Sequence, residues 1–269
     1  MAASRSRYFT AGVCRPTTEH SRAAERCEIG PDMPSDKPFD RRQFLSTAVL
    51  SATTALGVAG WAGRGHAATE CKAAVATDSG PFFPPGTIPE LSDLVSLPGR
   101  TGRARGQVLH LAGTVRDSAC RPLSDVLVTI WQADANGLYK HPRGGDQNTL
   151  DDNFGYFAAQ RTDRDGRYRF RTIAPNSYKF AGITRSPHIH FKLAHRDHRA
   201  LVTELYFAGR RDDELREIDR VFRSRPARSR DRLIMAKTPV SGPLAQSDPG
   251  ALACVFDVQL ARRARSGGR

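Results

Sequence analysis

The sequence RSPHIHFKL, residues 185–193, decides how the rest of the chain is interpreted. Successive side chains of a β-strand point to opposite faces, so residues two apart share a face. If this segment is a strand, His188 and His190 lie side by side while Ile189 faces away. Neutral imidazole is the commonest metal ligand, so the pair is a candidate metal site. A surface histidine next to a packed core histidine would give the same pattern. The flanking sequence has to distinguish this arrangement from a metal site.

Short strand patterns separated by turn residues lie on both sides of this segment. They are rich in β-branched and aromatic residues, as strands are. The predicted strands are 108–115, 126–131, 188–193, 200–207 and 255–260.

Two further patterns complete the predicted fold. The turn sequence DRDG at 163–166 lies between 161–162 and 168–171, which predicts a hairpin. Apolar residues at helical spacing within 212–223 predict one short surface helix. Many short strands with so little helix predict an all-β protein with a single β-sandwich domain.

The domain organisation follows from changes in composition along the chain. Residues 107–262 are predicted to form the sandwich, and 263–269 a disordered tail. The preceding segment, 68–106, is rich in proline and glycine, which excludes a helix there. We predict an extended arm across the domain, anchored by Phe82 and Phe83.

Residues 1–67 are predicted to be an N-terminal extension that carries an export signal. Arg41 and Arg42 precede an uncharged run, 46–63, which ends near a small-residue site at Ala67. This order is typical of a twin-arginine signal and predicts a periplasmic or extracellular protein. The alternative is a membrane anchor, but the run is short and contains three glycines. No integral span is predicted in the mature chain.

Charge and cysteine content narrow the possible partners. The formal net charge is +13, but the arginines are scattered and form no nucleic-acid motif, so no nucleic-acid partner is expected. After removal of the signal, Cys71, Cys120 and Cys254 remain, without a zinc-binding spacing. An exported protein can form one disulfide among them, and the pairing is open.

Two tyrosines precede the histidine strand in positions unusual for core residues. Tyr139 follows an Asn-Gly turn, and Tyr178 lies in a proline-containing loop ten residues before His188. Each is compatible with ordinary packing. Together with the imidazoles, however, phenolates favour a hard, high-valent ion such as Fe(III) over Zn(II).

Several blocks of this sequence resemble one enzyme family. WQADANGLY at 131–139, RSPHIHF at 185–191 and LYFAG at 205–209 are similar to motifs of the intradiol ring-cleavage dioxygenases, especially the protocatechuate 3,4-dioxygenases. The segment SGPFF at 79–83 resembles the N-terminal arm of the same family. The resemblance covers about residues 70–210, in the correct order. It implies a transthyretin-like (prealbumin-like) sandwich topology.

The resemblance implies a mononuclear, non-haem Fe(III) held by Tyr139, Tyr178, His188 and His190 together with a solvent hydroxide. Tyr178 would be the ligand that leaves when a catechol binds, and its phenolate would accept a catechol proton. Arg185 would stabilise negative charge that develops on the substrate. The reactants would be a small aromatic diol and O₂, and the product a cis,cis-muconate-type diacid. An oligomer is also expected.

Glu204 departs from the family pattern, since relatives often have glutamine there. A two-histidine, one-carboxylate Fe(II) site built from His188, His190 and Glu204 is therefore an alternative. The segment from Tyr178 to His188 is short and carries Phe180 where tryptophan is common, so the particular catechol stays open. A metal-free, transthyretin-like periplasmic binding module is a third hypothesis.

Overall fold

The described part of the chain, residues 73–263 of a computed structural model, consists mainly of short β-strands. The predicted signal (1–67), Cys71 and residues 264–269 of the predicted tail lie outside it. The strands are β1 Val108–Asp117, β2 Leu127–Gln132, β3 Phe157–Arg161, β4 Arg167–Ile173, β5 Tyr178–Phe180, β6 Ile183–Arg185, β7 His188–Ala194, β8 Leu201–Phe207, β9 Ile234–Met235, β10 Thr238–Pro239, β11 Leu252–Val255 and β12 Val258–Leu260.

Four short α-helices and two 3₁₀ helices accompany these strands. The α-helices are α1 Arg210–Ile218, α2 Arg220–Arg223, α3 Ala227–Arg230 and α4 Pro243–Ser247, and the 3₁₀ helices are Gln147–Thr149 and Asp231–Leu233. None of the helices within residues 73–263 has the length and apolar character that crossing a membrane requires.

The strands form two five-stranded sheets and one separate hairpin. The first sheet has the order β10-β11-β1-β12, with β4 antiparallel to β1, and the second has the order β3-β2-β7-β8-β9. Strands β5 and β6 pair with each other. The all-β sandwich predicted from the sequence is confirmed.

One face of the second sheet packs into the core of the sandwich. Ile189 and Phe191 of β7 and Leu205 and Phe207 of β8 are fully buried in the same apolar cluster as residues of β1 and β4. Burial of each such side chain contributes about 1.5–3 kcal/mol to folding. Because strand side chains alternate, this burial directs His188 and His190 to the opposite face.

The segment 163–166 forms the predicted turn but not the predicted hairpin. Gly166 N–H donates to Asp163 O, and the Asp163 carboxylate accepts the Arg167 N–H. However, β3 pairs with β2 in one sheet and β4 pairs with β1 in the other. The hairpin prediction is wrong because each strand pairs with a strand from elsewhere in the chain, and the two lie in different sheets.

The predicted single helix over 212–223 is also wrong, because the chain breaks at Asp219 between α1 and α2. Asp219 has an extended conformation, with φ −75° and ψ 96°, and its carboxylate accepts the N–H of Phe222. The same carboxylate accepts hydrogen bonds from Arg185 and Ser186. These bonds favour a helix start at this residue over a continuous helix.

The predicted closing strand, 255–260, is divided into β11 and β12, and both run parallel to β1. Between them, the N–H of Phe256 donates to the carbonyl of Ala112, and the Asp257 carboxylate accepts the N–H of Thr114 at 2.7 Å. A side chain therefore takes the place of a backbone acceptor there, which interrupts the strand while the register with β1 stays the same on both sides, with Ala112 opposite Val255 and Val115 opposite Val258.

The proline- and glycine-rich segment is extended along the sandwich from residue 73 to 106. Phe82 is buried and Phe83 is half-buried against the outer face of the second sheet. Backbone hydrogen bonds join Leu94 to Arg171 and Gly155.

Of the candidate cysteines, Cys120 is disulfide-bonded and Cys254 is a buried free thiol, which excludes Cys254 from the pairing.

Candidate metal centre

The two histidines of β7 are buried on the outer face of the second sheet. His188 is opposite Tyr206 and His190 is opposite Glu204 in the register with β8. On the other side, the indole of Trp131 in β2 stacks on His190, with ring centroids 4.7 Å apart and an angle of 2° between the planes. The sheet and its neighbours therefore fix the orientation of both imidazoles.

The ring nitrogens of the histidine pair face each other. His188 Nδ1 lies 2.6 Å from the carbonyl of Ser186 and so carries the proton, which leaves a lone pair on Nε2. That nitrogen is 3.2 Å from His190 Nε2. Burial, followed by the charge of Arg185, lowers the pKa of His188 to about 4, and burial also lowers that of His190. Both rings are neutral at pH 7, and their Nε2 atoms face the same point.

Both predicted tyrosines lie beside this histidine pair. The Tyr139 ring centroid is 5.2 Å from that of Tyr178 and 6.4 Å from that of His190, and the Tyr178 centroid is 5.7 Å from that of His188. Tyr178 begins β5 rather than lying in a loop. The structure therefore brings together the four side chains predicted as ligands.

The hydroxyl groups of the two tyrosines differ in their environment. The Tyr139 hydroxyl is buried beside that of Tyr178 but makes no hydrogen bond of good geometry, whereas the Tyr178 hydroxyl lies 3.5 Å from a nitrogen of Arg185. Burial raises the pKa of Tyr139 and raises that of Tyr178 to about 12. A buried polar atom without a partner costs about 1–3 kcal/mol. A cation bound among these side chains would bind the orphaned oxygen and favour its phenolate form.

The donor set fits the ion implied by the sequence. Two phenols and two neutral imidazoles converge in a buried site, and phenolate oxygens suit a hard, high-valent ion such as Fe(III). The unpartnered Tyr139 oxygen and the facing histidine nitrogens are the features that a bound cation would satisfy.

Arg185 lies beside the tyrosines and histidines, and all three nitrogens of its guanidinium group have hydrogen-bond partners. Its Nε lies 3.2 Å from Asp219 Oδ1, and one terminal nitrogen lies 2.9 Å from the Tyr206 hydroxyl and 3.3 Å from Glu204 Oε1. The other terminal nitrogen faces the Tyr178 hydroxyl. Because Arg185 is 6% exposed, its positive charge is little screened by solvent.

Glu204 is bound to two arginines on the far side of the histidines. Its Oε2 accepts from Arg225 at 2.5 Å and from the Tyr206 hydroxyl at 2.9 Å, and its Oε1 lies 3.7 Å from His190 Nδ1. Burial opposes the charged form, yet the histidines and then the two arginines lower the pKa of Glu204 to about 2. The carboxylate is therefore ionised at neutral pH.

The extended arm closes the site from the other side. Phe82 stacks on Tyr139, with ring centroids 4.6 Å apart. Gly80 has a φ of +65°, and a Cβ there would lie 3.2 Å from His190 Cε1. The close approach and the positive φ both favour glycine.

We expect that Gly80→Ala weakens metal retention because the new methyl group presses on His190. The positive φ alone should lower the free energy of unfolding by about 1–2 kcal/mol. Gly86→Ala is the matched control, since φ is +81° but nothing lies within 4 Å of its Cβ position. Denaturant unfolding and bound iron after dialysis provide the measurements. Equal iron retention by the two variants would contradict the contact with His190.

Three residues of this site were not predicted from the sequence. Tyr206 shares a strand face with Glu204, and this alternation could have revealed it. Asp219 and Arg225 carry no local signal, because they belong to the helical segment and reach the site only through tertiary packing.

Comparisons with known proteins point to one class of enzyme. A family model described as Dioxygenase matches residues 79–261. The protocatechuate 3,4-dioxygenase beta chain of Burkholderia cepacia is 37% identical over 147 residues, which are 53% of this chain and 61% of that protein. The hydroxyquinol 1,2-dioxygenase of Rhodococcus opacus is 31% identical over 198 residues, 68% of this chain and 62% of that protein.

Solved structures lead to the same group. The 3-chlorocatechol 1,2-dioxygenase of Rhodococcus opacus 1CP superposes with a TM-score of 0.53 at 25% identity, covering 72% of this chain and 75% of that one. The dioxygenase domain of a carbohydrate-binding fusion protein from Streptomyces sp. SirexAA-E has a TM-score of 0.51 at 26% identity, covering 71% and 100%.

The fold and the buried site thus define a β-sandwich protein of the dioxygenase class. The chain belongs to the intradiol ring-cleavage dioxygenase family. It spans about three fifths of the length of the curated relatives described above.

Proposed function

We propose that this protein is a non-haem Fe(III)-dependent dioxygenase that cleaves a catechol-type ring between its two hydroxylated carbons with O₂, giving a cis,cis-muconate-type diacid. The observation that carries the proposal is the convergence of two tyrosines and two facing imidazoles beside one buried arginine. The relatives support it, since their names describe dioxygenases of protocatechuate, hydroxyquinol and catechol. A metal-free binding module would need none of these features.

Tyr139, Tyr178, His188 and His190 would hold the ion. When bound, Fe(III) would supply Lewis acidity and the redox chemistry that lets an aromatic diol react with O₂. The two imidazoles enter this arrangement already neutral and oriented, by Ser186 for one ring and Trp131 for the other. Little reorganisation is therefore required on binding.

Tyr178 is the residue that we expect to exchange with substrate. It is half-buried at the start of the short β5–β6 hairpin, whereas Tyr139 is almost fully buried. As a phenolate, its oxygen would accept one proton from the incoming diol. Arg185, within 3.5 Å of that oxygen, would hold the released tyrosine or the substrate in place.

Arg185 would also stabilise the transition state. Its guanidinium is fixed by Asp219, Glu204 and Tyr206, so its charge is oriented before the substrate arrives. A preorganised positive charge in a water-poor site stabilises negative charge that develops on the ring.

The substrate would enter past Tyr178. A cavity of about 370 Å³ borders both tyrosines and is lined by Phe82, Phe180 and Arg143, among others. The aromatic walls suit a flat ring.

The proposed activity is tested with the purified protein loaded with Fe(III). We expect a red-brown tyrosinate band, a shift of that band when catechol is added without oxygen, and one O₂ consumed per diacid formed once air is admitted. Protein loaded with Zn(II), which has no redox chemistry, is the control. A protein that stays colourless after Fe(III) loading would overturn the two-tyrosinate site.

The export signal and an oligomeric assembly are further parts of this proposal. Residues 1–67 support export to the periplasm or the medium through a twin-arginine route. The N-terminal sequence of the exported protein and its mass in solution test these two points.

A further inference from the structure

Among residues 73–263, His188, His190 and Glu204 form a group whose ligand atoms all lie within 4.8 Å of one another. Two histidines and one carboxylate are a common ligand set for divalent ions. The same histidines therefore belong to two overlapping candidate ligand sets. One is completed by Tyr139 and Tyr178, and the other by Glu204.

The carboxylate of Glu204 is already occupied by other partners. Oε1 accepts from Arg185 at 3.3 Å, and Oε2 accepts from Arg225 at 2.5 Å and from Tyr206 at 2.9 Å. A cation bound to either oxygen would lie beside two guanidinium groups. Both the lost hydrogen bonds and the repulsion between positive charges oppose its binding there.

The two arginines differ in how far they depend on Glu204. Arg185 has a second carboxylate partner, Asp219, which is fully buried. Arg225 pairs with one carboxylate among the described residues, that of Glu204, and its side chain is 14% exposed. Its remaining bonds are to the Tyr206 hydroxyl and the carbonyl of Val221, both at 3.3 Å. Among the described residues, Glu204 therefore supplies the carboxylate that balances the charge of Arg225.

We propose that Arg225 is a positioning residue that keeps Glu204 from acting as a metal ligand, and so reserves the two histidines for an ion bound by Tyr139 and Tyr178. Glu204 serves instead as a fixed partner of Arg185. Without Arg225, Glu204 would be free to complete a site for divalent ions with the histidines. The inference concerns the same site as the proposed function and rests on the histidines binding a metal.

The test measures Co(II) binding to the metal-free, full-length protein, by its visible absorption and by equilibrium dialysis. We expect Arg225→Met to raise the affinity for Co(II) about tenfold, a change of about 1.4 kcal/mol. Glu204→Gln/Arg225→Met should remove that gain. Arg223→Met is the matched control, because Arg223 lies on the same segment, is exposed and donates to the carbonyl of Glu217; it should bind Co(II) as the wild type does.

Two further variants cover the case in which Arg225→Met folds poorly. Arg225→Lys keeps the charge and should leave Co(II) affinity at the wild-type value. Glu204→Gln alone should leave the Co(II) absorption spectrum unchanged, because Glu204 is not a ligand in the wild-type protein, although the loss of its charge beside two arginines lowers the affinity. A changed Co(II) absorption spectrum in Glu204→Gln, or equal affinities for Arg225→Met and Arg223→Met, would overturn the proposal. No turnover is measured, so failure here is distinguishable from an absence of catechol cleavage.

Discussion

Replacing Tyr139 with phenylalanine should abolish catechol cleavage and leave the metal-free protein at least as stable as the wild type. The Tyr139 hydroxyl is buried beside that of Tyr178 and makes no hydrogen bond of good geometry, so its removal relieves a desolvation cost and gives up little bonding in return. We expect the free energy of unfolding to be unchanged or to rise by about 1 kcal/mol. Under the proposed function, loss of one phenolate should lower kcat by more than about 100-fold, because the metal would lose a direct ligand. Urea unfolding, bound iron after dialysis and oxygen uptake measure the three effects.

Tyr168→Phe is the matched control for this experiment. Tyr168 is as deeply buried as Tyr139, but it belongs to the first sheet, and its hydroxyl donates to the carbonyl of Phe256 between β11 and β12. Its removal should lower the free energy of unfolding by about 1–2 kcal/mol and leave kcat unchanged. If Tyr139→Phe instead lost stability and kept its activity, Tyr139 would be an ordinary packing residue.

Replacing Asp219 with asparagine should cause the largest loss of stability. The Asp219 carboxylate is fully buried and accepts hydrogen bonds from Arg185 Nε, from the N–H and hydroxyl of Ser186, and from the N–H of Phe222. An amide removes the charge that balances Arg185 and turns one acceptor into a donor facing other donors. Breaking a buried pair in this way lowers the free energy of unfolding by about 3–5 kcal/mol. Denaturant unfolding of the metal-free protein measures it.

The same change should reduce activity through Arg185. A displaced guanidinium no longer supports the Tyr178 oxygen, and a misplacement of about 1 Å lowers the rate by about 100-fold. Asp197→Asn is the control, because Asp197 makes an exposed ion pair with Arg196 and should change stability by less than about 0.5 kcal/mol. Wild-type stability and kcat in Asp219→Asn would show that Asp219 does not position Arg185.

The sequence was most informative where a feature depends on a single strand. Alternation along β7 places His188 and His190 on one face and Ile189 on the other, and the structure shows this arrangement. The block that ends at Tyr139, and the position of Tyr178 ten residues before His188, indicated the remaining members of the cluster, although the role of each as a ligand stays a prediction. These residues could be found because their patterns are short and local.

Local patterns failed where distant segments compete for the same strand or side chain. The turn at 163–166 is present, but its flanking strands pair with β1 and β2 instead of with each other. The predicted helix stops at Asp219, since the carboxylate binds both Arg185 and the start of α2. The strand partners and the pairing of Asp219 with Arg185 have no signal within the segments themselves, although aspartate is a common residue at the start of a helix.

The sequence alone determined which faces of the strands are apolar, where the imidazoles and phenols stand along the chain, and that an all-β sandwich results. Only the tertiary structure decided which strands pair, that Arg185 is fixed by Asp219 and that Glu204 is paired with Arg225. The physical reason is the range of the interactions. Side-chain alternation follows from the geometry of one strand, whereas a buried charge is balanced by whichever opposite charge the packing brings to it.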